Sequence, residues 1–214
     1  MKTTPVRLLI DGAFDEHADL AANPWVRQAQ WLGRCTDLQV LWLDRGRAPE
    51  AEGVEYLSFP AHRQGACAAD SMLIQSMCDL YRIEVFASAG QTTPLATPML
   101  MLVDQGVLAT SEPASAPHDR GERELAIDFA QRYLCSSAPV RAALLARGRA
   151  IAPATALVAR QDWTLRADSQ ERSTWGQQVA AICRELRRQA RAGMFAPFFV
   201  EWKRLRVLQS TVDV

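Results

Sequence analysis

The sequence predicts one doubly wound α/β domain, a parallel sheet with helices on both faces, and an amphipathic helical extension that follows it. The first observation is a set of short runs that are apolar on both strand faces, of which Met99–Val103 is the clearest. The second is that segments with helical spacing of apolar residues alternate with these runs. The third is that most connections between them are short. This order of strand, helix and strand is typical of a doubly wound sheet.

Apolar runs bounded by turn residues predict the strands of the sheet. We expect strands at residues 6–10, 38–43, 54–59, 83–87, 99–103, 133–135 and 154–159. The first run ends on Asp11-Gly12, and the fifth ends on Asp104. Because parallel strands end at the same edge of a sheet, both carboxylates are expected at the edge where ligands of open α/β sheets lie.

Start signals and apolar stripes predict the helices. Asn23-Pro24 combines a capping side chain with a proline that fits the first helical position, and Asp70-Ser71 can cap a second helix. Residues 105–120 have no apolar period and are expected to form a surface loop. We expect helices at residues 24–34, 70–81, 122–131, 138–147 and 175–192.

The chain divides at about Trp163, where the alternating pattern stops. We expect residues 1–163 to form the α/β domain and residues 164–214 to form a helical segment. Residues 175–192 carry one apolar stripe and many arginines, and Gly193 ends that helix. Aromatic and basic residues then follow together. This segment is expected to pack back onto the domain or onto a partner.

The amino-acid composition limits the classes of function that the chain can have. The chain has 214 residues, of which 49% are hydrophobic and 22% are charged, with a net charge of zero. A soluble globular protein is expected, and a dedicated nucleic-acid binder is disfavoured because it would carry a basic excess. The apolar stretch near the N-terminus is too short for a signal peptide, and no run approaches the roughly 20 residues that span a bilayer. A cytoplasmic location is therefore expected.

Cysteine, histidine and glycine patterns predict neither a metal nor a cofactor. The five cysteines are scattered without a Cys-x-x-Cys pair, and the three histidines lack ligand spacing, so reduced thiols and no zinc site are expected. The chain has no Gly-x-Gly-x-x-Gly or P-loop motif, which disfavours a small Rossmann-like nucleotide binder. Ser88 lacks the Gly-x-Ser-x-Gly elbow of a hydrolase nucleophile.

The stretch from residue 91 to Asp104 is the most informative in the chain. Two Thr-Pro steps keep the backbone extended, since the residue before a proline is pushed away from helical angles. The apolar run Met99–Val103 and its terminal carboxylate follow at once. Residues 85–88, 92–98 and this strand resemble the N-terminal, Rossmann-like domain of bacterial GT-B glycosyltransferases of family 4, also called group 1. Weaker similarities occur in the family's order at residues 9–12, 43–46, 69–71 and 133–137.

The resemblance covers about residues 5–147 and implies an acceptor domain of an enzyme that builds cell-surface polysaccharides. Two departures qualify what it implies. Residues 13–23 are acidic, whereas the family has a glycine and a basic residue near the donor diphosphate. The resemblance does not extend to the second domain, which binds the nucleotide-sugar in this family and is expected to be absent, although the helix at residues 175–192 resembles the family's closing helix.

The resemblance also suggests roles for single residues. Asp104 would orient or deprotonate an acceptor hydroxyl, or else it caps the following turn. Asp11 and Gly12 would contact substrate in the same cleft, or else they form a turn. A further set would donate hydroxyl groups to a sugar, or else satisfies the backbone of its own loop: Thr92, Thr93 and Thr97.

Two functions from different classes remain. The first is a glycosyltransferase-like, acceptor-side protein of surface-polysaccharide synthesis that acts only with a partner chain supplying the nucleotide-sugar site. The alternative is a catalytically inactive binding or assembly module derived from such a transferase, for which a homo-oligomer is one expected form. The basic, aromatic C-terminus predicts either packing onto the protein or a peripheral contact with an anionic membrane. Whether the chain is an enzyme is left open.

Overall fold

A computed structural model describes residues 4–11, 24–44, 54–58, 68–88, 95–103, 130–146, 151–159 and 169–195, with Gln105 and Leu108. These residues form a seven-stranded sheet in which every neighbouring pair of strands is parallel. The strand order is β3-β2-β1-β4-β5-β6-β7. The predicted fold class, a doubly wound parallel α/β sheet, is confirmed.

The element bounds follow the sequence pattern closely. The strands are β1 Val6–Asp11, β2 Leu38–Asp44, β3 Glu55–Ser58, β4 Val85–Ser88, β5 Met99–Val103, β6 Arg132–Cys135 and β7 Ala156–Val158. The described helices are α1 Pro24–Cys35, α2 Ala68–Leu80, α3 Ala138–Leu145 and α4 Ser169–Arg191, with a short 3-10 turn at Pro153–Thr155.

Two predicted helices differ from the structure in their bounds. Helix α4 begins at Ser169 rather than at the predicted Trp175. The prediction starts too late because the first turn of the helix lacks the apolar stripe on which the prediction depends. Of the helix predicted at residues 122–131, only the last two residues are described, and Gln131 is not helical: its N–H donates to the carbonyl of Met99 at 3.1 Å. Gln131 therefore belongs to the approach to β6, and the rest of that predicted helix lies outside the described residues.

The continuous apolar runs arise because both faces of the sheet are covered. In β1, Leu8 and Ile10 belong to a core that includes buried residues of α1 and α4, whereas Leu9 belongs to a second core with α2 and α3. The same alternation holds in β5, where Leu100 lies in the first core and Met101 in the second. A strand covered on both sides has no position that favours a polar residue, so its sequence reads as one apolar block.

Helix α4 is held against the first core. Trp175, Val179 and Leu186 are among its buried residues, spaced so that they share one helix face. Its carboxyl end lies at the amino edge of the sheet, because Arg187 donates to the carbonyl of Thr4 at 2.8 Å and Arg191 pairs with Glu84 at 2.8 Å. The start of α4 therefore points toward the opposite, carboxyl edge.

The part of the chain that the structure describes contains no helix long and apolar enough to cross a membrane.

Candidate functional site

The strand order reverses between β1 and β4. From β1 the chain builds outward through β2 to β3, and it then returns to β4 on the other side of β1. Helices that follow strands on the two sides of such a reversal cover opposite faces, which opens a crevice at the carboxyl ends of the strands. In this chain the strands that flank the reversal end in polar residues, Asp11 and Ser88.

Asp11 and Ser88 lie side by side at this switch point. They are register partners on neighbouring parallel strands, which are about 4.8 Å apart in sheets. Asp11 is 2% exposed and Ser88 is 1% exposed, so both are buried at the carboxyl edge of the sheet. A buried carboxylate and a buried hydroxyl are costly unless hydrogen-bonded, so the fold keeps polar groups here at the expense of apolar packing.

Strand β5 extends beyond the level of Asp11 and Ser88. Ser88 is level with Met101, and Val103 is level with Cys135 of β6, so β5 continues for two residues past Ser88, or about 7 Å. Asp104 comes directly after Val103 in sequence. Its own position lies outside the described residues, as do those of three other predicted site residues, Gly12, Thr92 and Thr93.

Thr97 lies at the amino edge of the sheet, opposite the carboxyl edge where Asp11 and Ser88 lie. It precedes β5, and its hydroxyl accepts a hydrogen bond from Nε2 of Gln75 in α2 at 3.1 Å. Oε1 of Gln75 accepts from the N–H groups of Ala96 and Thr97 at 2.8 and 3.1 Å. Of the predicted site residues, the structure thus describes Asp11 and Thr97 and does not bring them together. The backbone N–H groups of the turn before β5 are satisfied by the side chain of Gln75 rather than by the Thr97 hydroxyl, and the role of Thr97 stays a prediction.

Two serines add polar groups at the carboxyl edge beyond β5. Ser136, which follows β6, is buried, and Ser137 caps α3 by accepting from the N–H of Val140 at 3.4 Å. The proline at Pro139 fits this first turn, where its missing N–H has no helical partner to lose. Described polar side chains therefore lie at the carboxyl ends of β1, β4 and β6.

Sequence reasoning missed the pairing of Ser88 with Asp11. Ser88 was considered only as a nucleophile, because its position beside β1 depends on strand order, which no local pattern gives. The useful signal was a serine at the end of the buried run that follows the return crossover from β3 to β4. Gln75 was missed for a related reason, since a glutamine on a helix gives no local sign that its amide reaches a turn 22 residues away.

Thiol chemistry is disfavoured at three described cysteines. Burial raises the pKa of Cys78 to about 12 and that of Cys135 to about 11, and it raises the pKa of Cys183 to about 12. A thiol rather than a thiolate is present at neutral pH in each case, and the thiolate is the nucleophile. Among the described residues no group of three or more His, Cys, Asp or Glu side chains is arranged to hold a metal ion.

No family model and no curated protein matches this chain. Several solved structures resemble it. The UDP-N-acetylglucosamine 2-epimerase of Rickettsia bellii is 10% identical, with 76% of this chain and 46% of that chain covered and a TM-score of 0.45. The epimerase of Neisseria meningitidis bound to UDP-GlcNAc is 9% identical, with coverages of 72% and 45% and a TM-score of 0.43.

The S. aureus MnaA–UDP co-structure is similar at the same level. It is 10% identical, with 78% of this chain and 50% of that chain covered and a TM-score of 0.44. This chain thus spans about half the length of the solved structures that it resembles. The more specific resemblance to family 4 glycosyltransferases, which the sequence predicts, stays a prediction.

Proposed function

We propose that this chain is the acceptor-side half of a glycosyltransferase-like system for bacterial surface polysaccharide, acting with a partner chain that binds the nucleotide-sugar. The observation that carries the proposal is the pair of buried polar residues, Asp11 and Ser88, in register across the switch point of the sheet. A crevice at this position is the usual ligand site of an open α/β sheet. The ordered sequence similarities to the glycosyltransferase acceptor domain supply the substrate class.

The proposed sugar transfer requires few catalytic groups from this chain. A hydroxyl oxygen of the acceptor attacks the anomeric carbon of the donor sugar, the bond from that carbon to the diphosphate breaks, and the hydroxyl proton passes to a carboxylate. Asp104 is the proposed acceptor of that proton, since it follows the strand that extends past the level of Asp11 and Ser88. Asp11 and Ser88 are the proposed groups that position the acceptor sugar.

Asp11 and Ser88 are suited to binding the hydroxyl groups of a sugar. A carboxylate accepts hydrogen bonds from sugar hydroxyls, and a serine hydroxyl both donates and accepts. Gly12, Thr92 and Thr93 stay proposed substrate contacts. Thr97 is left out of the proposed site because its hydrogen bonds to Gln75 serve the opposite edge of the sheet.

A reconstitution assay tests the proposal. The full chain is mixed with each candidate donor-binding protein, a nucleotide-sugar and an acceptor glycan, and sugar transfer is followed by mass spectrometry. We expect transfer to require both chains and to fall at least a hundredfold in Asp104→Ala, the usual scale for losing a general base. Asp37→Asn, a carboxylate change at the amino edge, is the matched control and should leave transfer unchanged. Undiminished transfer in Asp104→Ala would remove Asp104 from the chemistry.

The burial of Asp11 favours a second candidate, the inactive binding or assembly module. A carboxylate that is 2% exposed is also suited to holding loops in place, with no ligand at all. Under this candidate the chain binds a partner or itself without sugar transfer. Light scattering and pull-down separate the two: a stable complex that transfers no sugar with any donor supports the module, whereas a strictly monomeric chain with no partner counts against it.

A further inference from the structure

The carboxyl-terminal end of α2 departs at three neighbouring positions from what the stability of a single chain favours. Asp79 lies in the last turn of α2, where the helix dipole favours a basic side chain and disfavours an acidic one. Leu80 is the last helical residue and is 76% exposed, more than any other large apolar side chain that the structure describes. Arg82, two residues later, has a φ of +52°. Three locally unfavourable choices in four residues indicate a surface with a use of its own.

The backbone of Arg82 is fixed by the way in which α2 ends. The N–H of Arg82 donates to the carbonyl of Asp79 at 3.2 Å, and the N–H of Ile83 donates to that of Cys78 at 2.8 Å. This is the Schellman pattern, which places one residue in the left-handed region and favours glycine there. Helix α4 is followed by a glycine in this region, Gly193, at a φ of +72°. An arginine is less favourable at such a position because its Cβ atom approaches a carbonyl oxygen.

The guanidinium of Arg82 is not used within the described part of the chain. It is exposed and makes no hydrogen bond or ion pair there, whereas the exposed arginines of α4 pair with carboxylates. The carboxylate of Asp79 is also exposed, and it accepts a hydrogen bond from Nε2 of Gln75 at 2.9 Å. The two opposite charges lie on either side of Leu80 in the sequence.

An apolar face leads along α2 to this end. Leu73 and Leu80 are seven residues apart, which is about two helical turns, so they share one side of the helix. Leu73 is 37% exposed, and Met77, between the two leucines, is partly buried. Intervals of four and then three residues are typical of a helix face that packs against another element. The face becomes most exposed at Leu80, beside the two charges.

The patch of Asp79, Leu80 and Arg82 is complementary to itself. A two-fold axis brings the same surface of two copies face to face, so that contacts between two different residues occur twice. With the axis near Leu80, the two leucines cover each other, and Asp79 of each copy lies near Arg82 of the other. A partner of a single charge sign would be attracted by one of the two charges and repelled by the other. Charge complementarity therefore selects a second copy of this chain.

We propose that the end of α2 is the contact of a homodimer, in which Leu80 packs across a two-fold axis and Asp79 and Arg82 form two reciprocal ion pairs. Association removes the exposed leucine from water and gives the Arg82 guanidinium a carboxylate partner. The patch is small beside the roughly 1,200–2,000 Å² that stable interfaces bury, so the dimer is weak and forms at high chain concentration.

The dimer leaves the proposed sugar crevice open. Helix α2 ends just before β4 begins at Val85, so its carboxyl-terminal end lies at the amino edge of the sheet. Asp11 and Ser88 lie at the opposite edge and face no second copy. The inference does not depend on the proposed function, because either a transferase or an inactive module could dimerise in this way, and a monomeric transferase would still transfer sugar.

Sedimentation velocity of the full chain between about 10 µM and 1 mM measures the association. We expect monomers at the lower concentration and a growing fraction of dimer at the higher one. Leu80→Ser should weaken the dimer at least tenfold, since a packed leucine is lost from both copies. Met194→Ser changes the other strongly exposed apolar side chain and should leave the dimer unchanged, as the matched control.

Charge reversals test the reciprocal pairing. Asp79→Arg and Arg82→Asp should each weaken self-association about tenfold, because each variant places like charges against each other across the axis. A mixture of the two variants should form a heterodimer, since both contacts across the axis then join an arginine to an aspartate. Two variants that fail alone and associate together cannot be explained by misfolding.

Arg82→Gly separates association from folding. Glycine removes the unfavourable contact at a φ of +52°, so urea denaturation should show a more stable monomer, while the dimer should weaken. A chain that stays monomeric at about 1 mM would overturn the proposal. A dimer unaffected by Leu80→Ser, or charge variants that do not associate when mixed, would also overturn it. So would a monomer that binds a different protein at this patch.

Discussion

A Cβ atom added to Gly176 of α4 would lie 1.7 Å from Cζ3 of Trp31 in α1. The indole ring of Trp31 therefore occupies the space that any other side chain at residue 176 would need. This contact lets the two helices approach closely over the first core of the sheet.

Gly176→Ala is expected to destabilise the protein. The added methyl group cannot fit unless the ring moves, and overpacking of this kind costs about 1–3 kcal/mol. The 1.7 Å approach puts the overpacking cost at the upper end of this range, and alanine favours the helix over glycine by up to about 1 kcal/mol, so the net loss should be about 2 kcal/mol. Urea denaturation at equilibrium measures it.

Two further variants show whether the ring is the cause. Gln177→Ala, at an exposed position one residue along the same helix, should change the unfolding free energy by less than about 0.5 kcal/mol. In a Trp31→Leu background, Gly176→Ala should lose its cost and become neutral or stabilising. A Gly176→Ala protein as stable as the parent would contradict the close approach of the helices.

Gln75→Ala is expected to loosen the turn before β5. The substitution removes the acceptor of two backbone N–H groups, those of Ala96 and Thr97, and the donor to the Thr97 hydroxyl. Loss of buried or half-buried partners costs about 1–3 kcal/mol. Gln75→Glu keeps the acceptor and should cost less. Amide hydrogen exchange at residues 96 and 97 should quicken in Gln75→Ala, and unchanged exchange would show that the glutamine does not hold this turn.

The ion pair of Asp37 and Arg184 should give a small, pH-dependent stabilisation. The hydrogen bonds from Arg184, at 2.8 and 2.9 Å, hold the pKa of Asp37 below its usual 3.8. A lowered folded-state pKa stabilises the protein fully above the unfolded value and loses its effect as pH falls through the folded value. Both side chains are more than 40% exposed, so about 0.2–1 kcal/mol is expected.

Asp37→Asn measures that contribution. Near pH 7 the variant should be less stable than the parent by this amount, and at about pH 3 and below the difference should shrink, because the parent's carboxylate is being protonated too. Paired urea titrations at the two pH values provide the measurement. A difference that stays constant between them would mean that Asp37 contributes by packing rather than by charge.

The buried thiols should be unreactive in the folded protein. Because burial raises the pKa of Cys78, Cys135 and Cys183 to about 11–12, each is protonated at about pH 8, and reagent cannot reach it. Labelling with iodoacetamide, mapped by peptide mass spectrometry, should modify these three only after denaturation. Modification of any of them at the rate of a free thiol under native conditions would contradict the core assignments.

The strands were predictable from sequence because burial on both faces leaves one signal, the continuous apolar run. Met99–Val103 was identified to its exact bounds for this reason. Helix α4 was placed by its apolar stripe, but its start was missed because residues 169–174 contain no apolar residue that extends the stripe. Local periodicity therefore identifies the parts of an element that carry apolar residues and misses ends that carry none.

The site was only partly predictable. That Asp11 ends a strand follows from the sequence alone, but its pairing with Ser88 requires the strand order, which depends on long-range packing. Thr97 was predicted as a site residue, yet it precedes β5 and contacts Gln75 at the amino edge. The steps Thr93-Pro94 and Thr97-Pro98 look alike in sequence, so the sequence gives no sign of this location. Residue type and spacing do not state which edge of a sheet a loop residue reaches.

Backbone NMR of the isotopically labelled chain, titrated with acceptor glycans and nucleotide-sugars, tests the central claim most directly. If the switch point is the ligand site, a glycan should shift the amide signals of Asp11 and Ser88 while those of Glu84 and Thr97, at the opposite edge, stay in place. Asp11→Asn should weaken that response about tenfold, the scale of one hydrogen bond to a charged group. Shifts confined to the amino edge, or an undiminished response in Asp11→Asn, would contradict it.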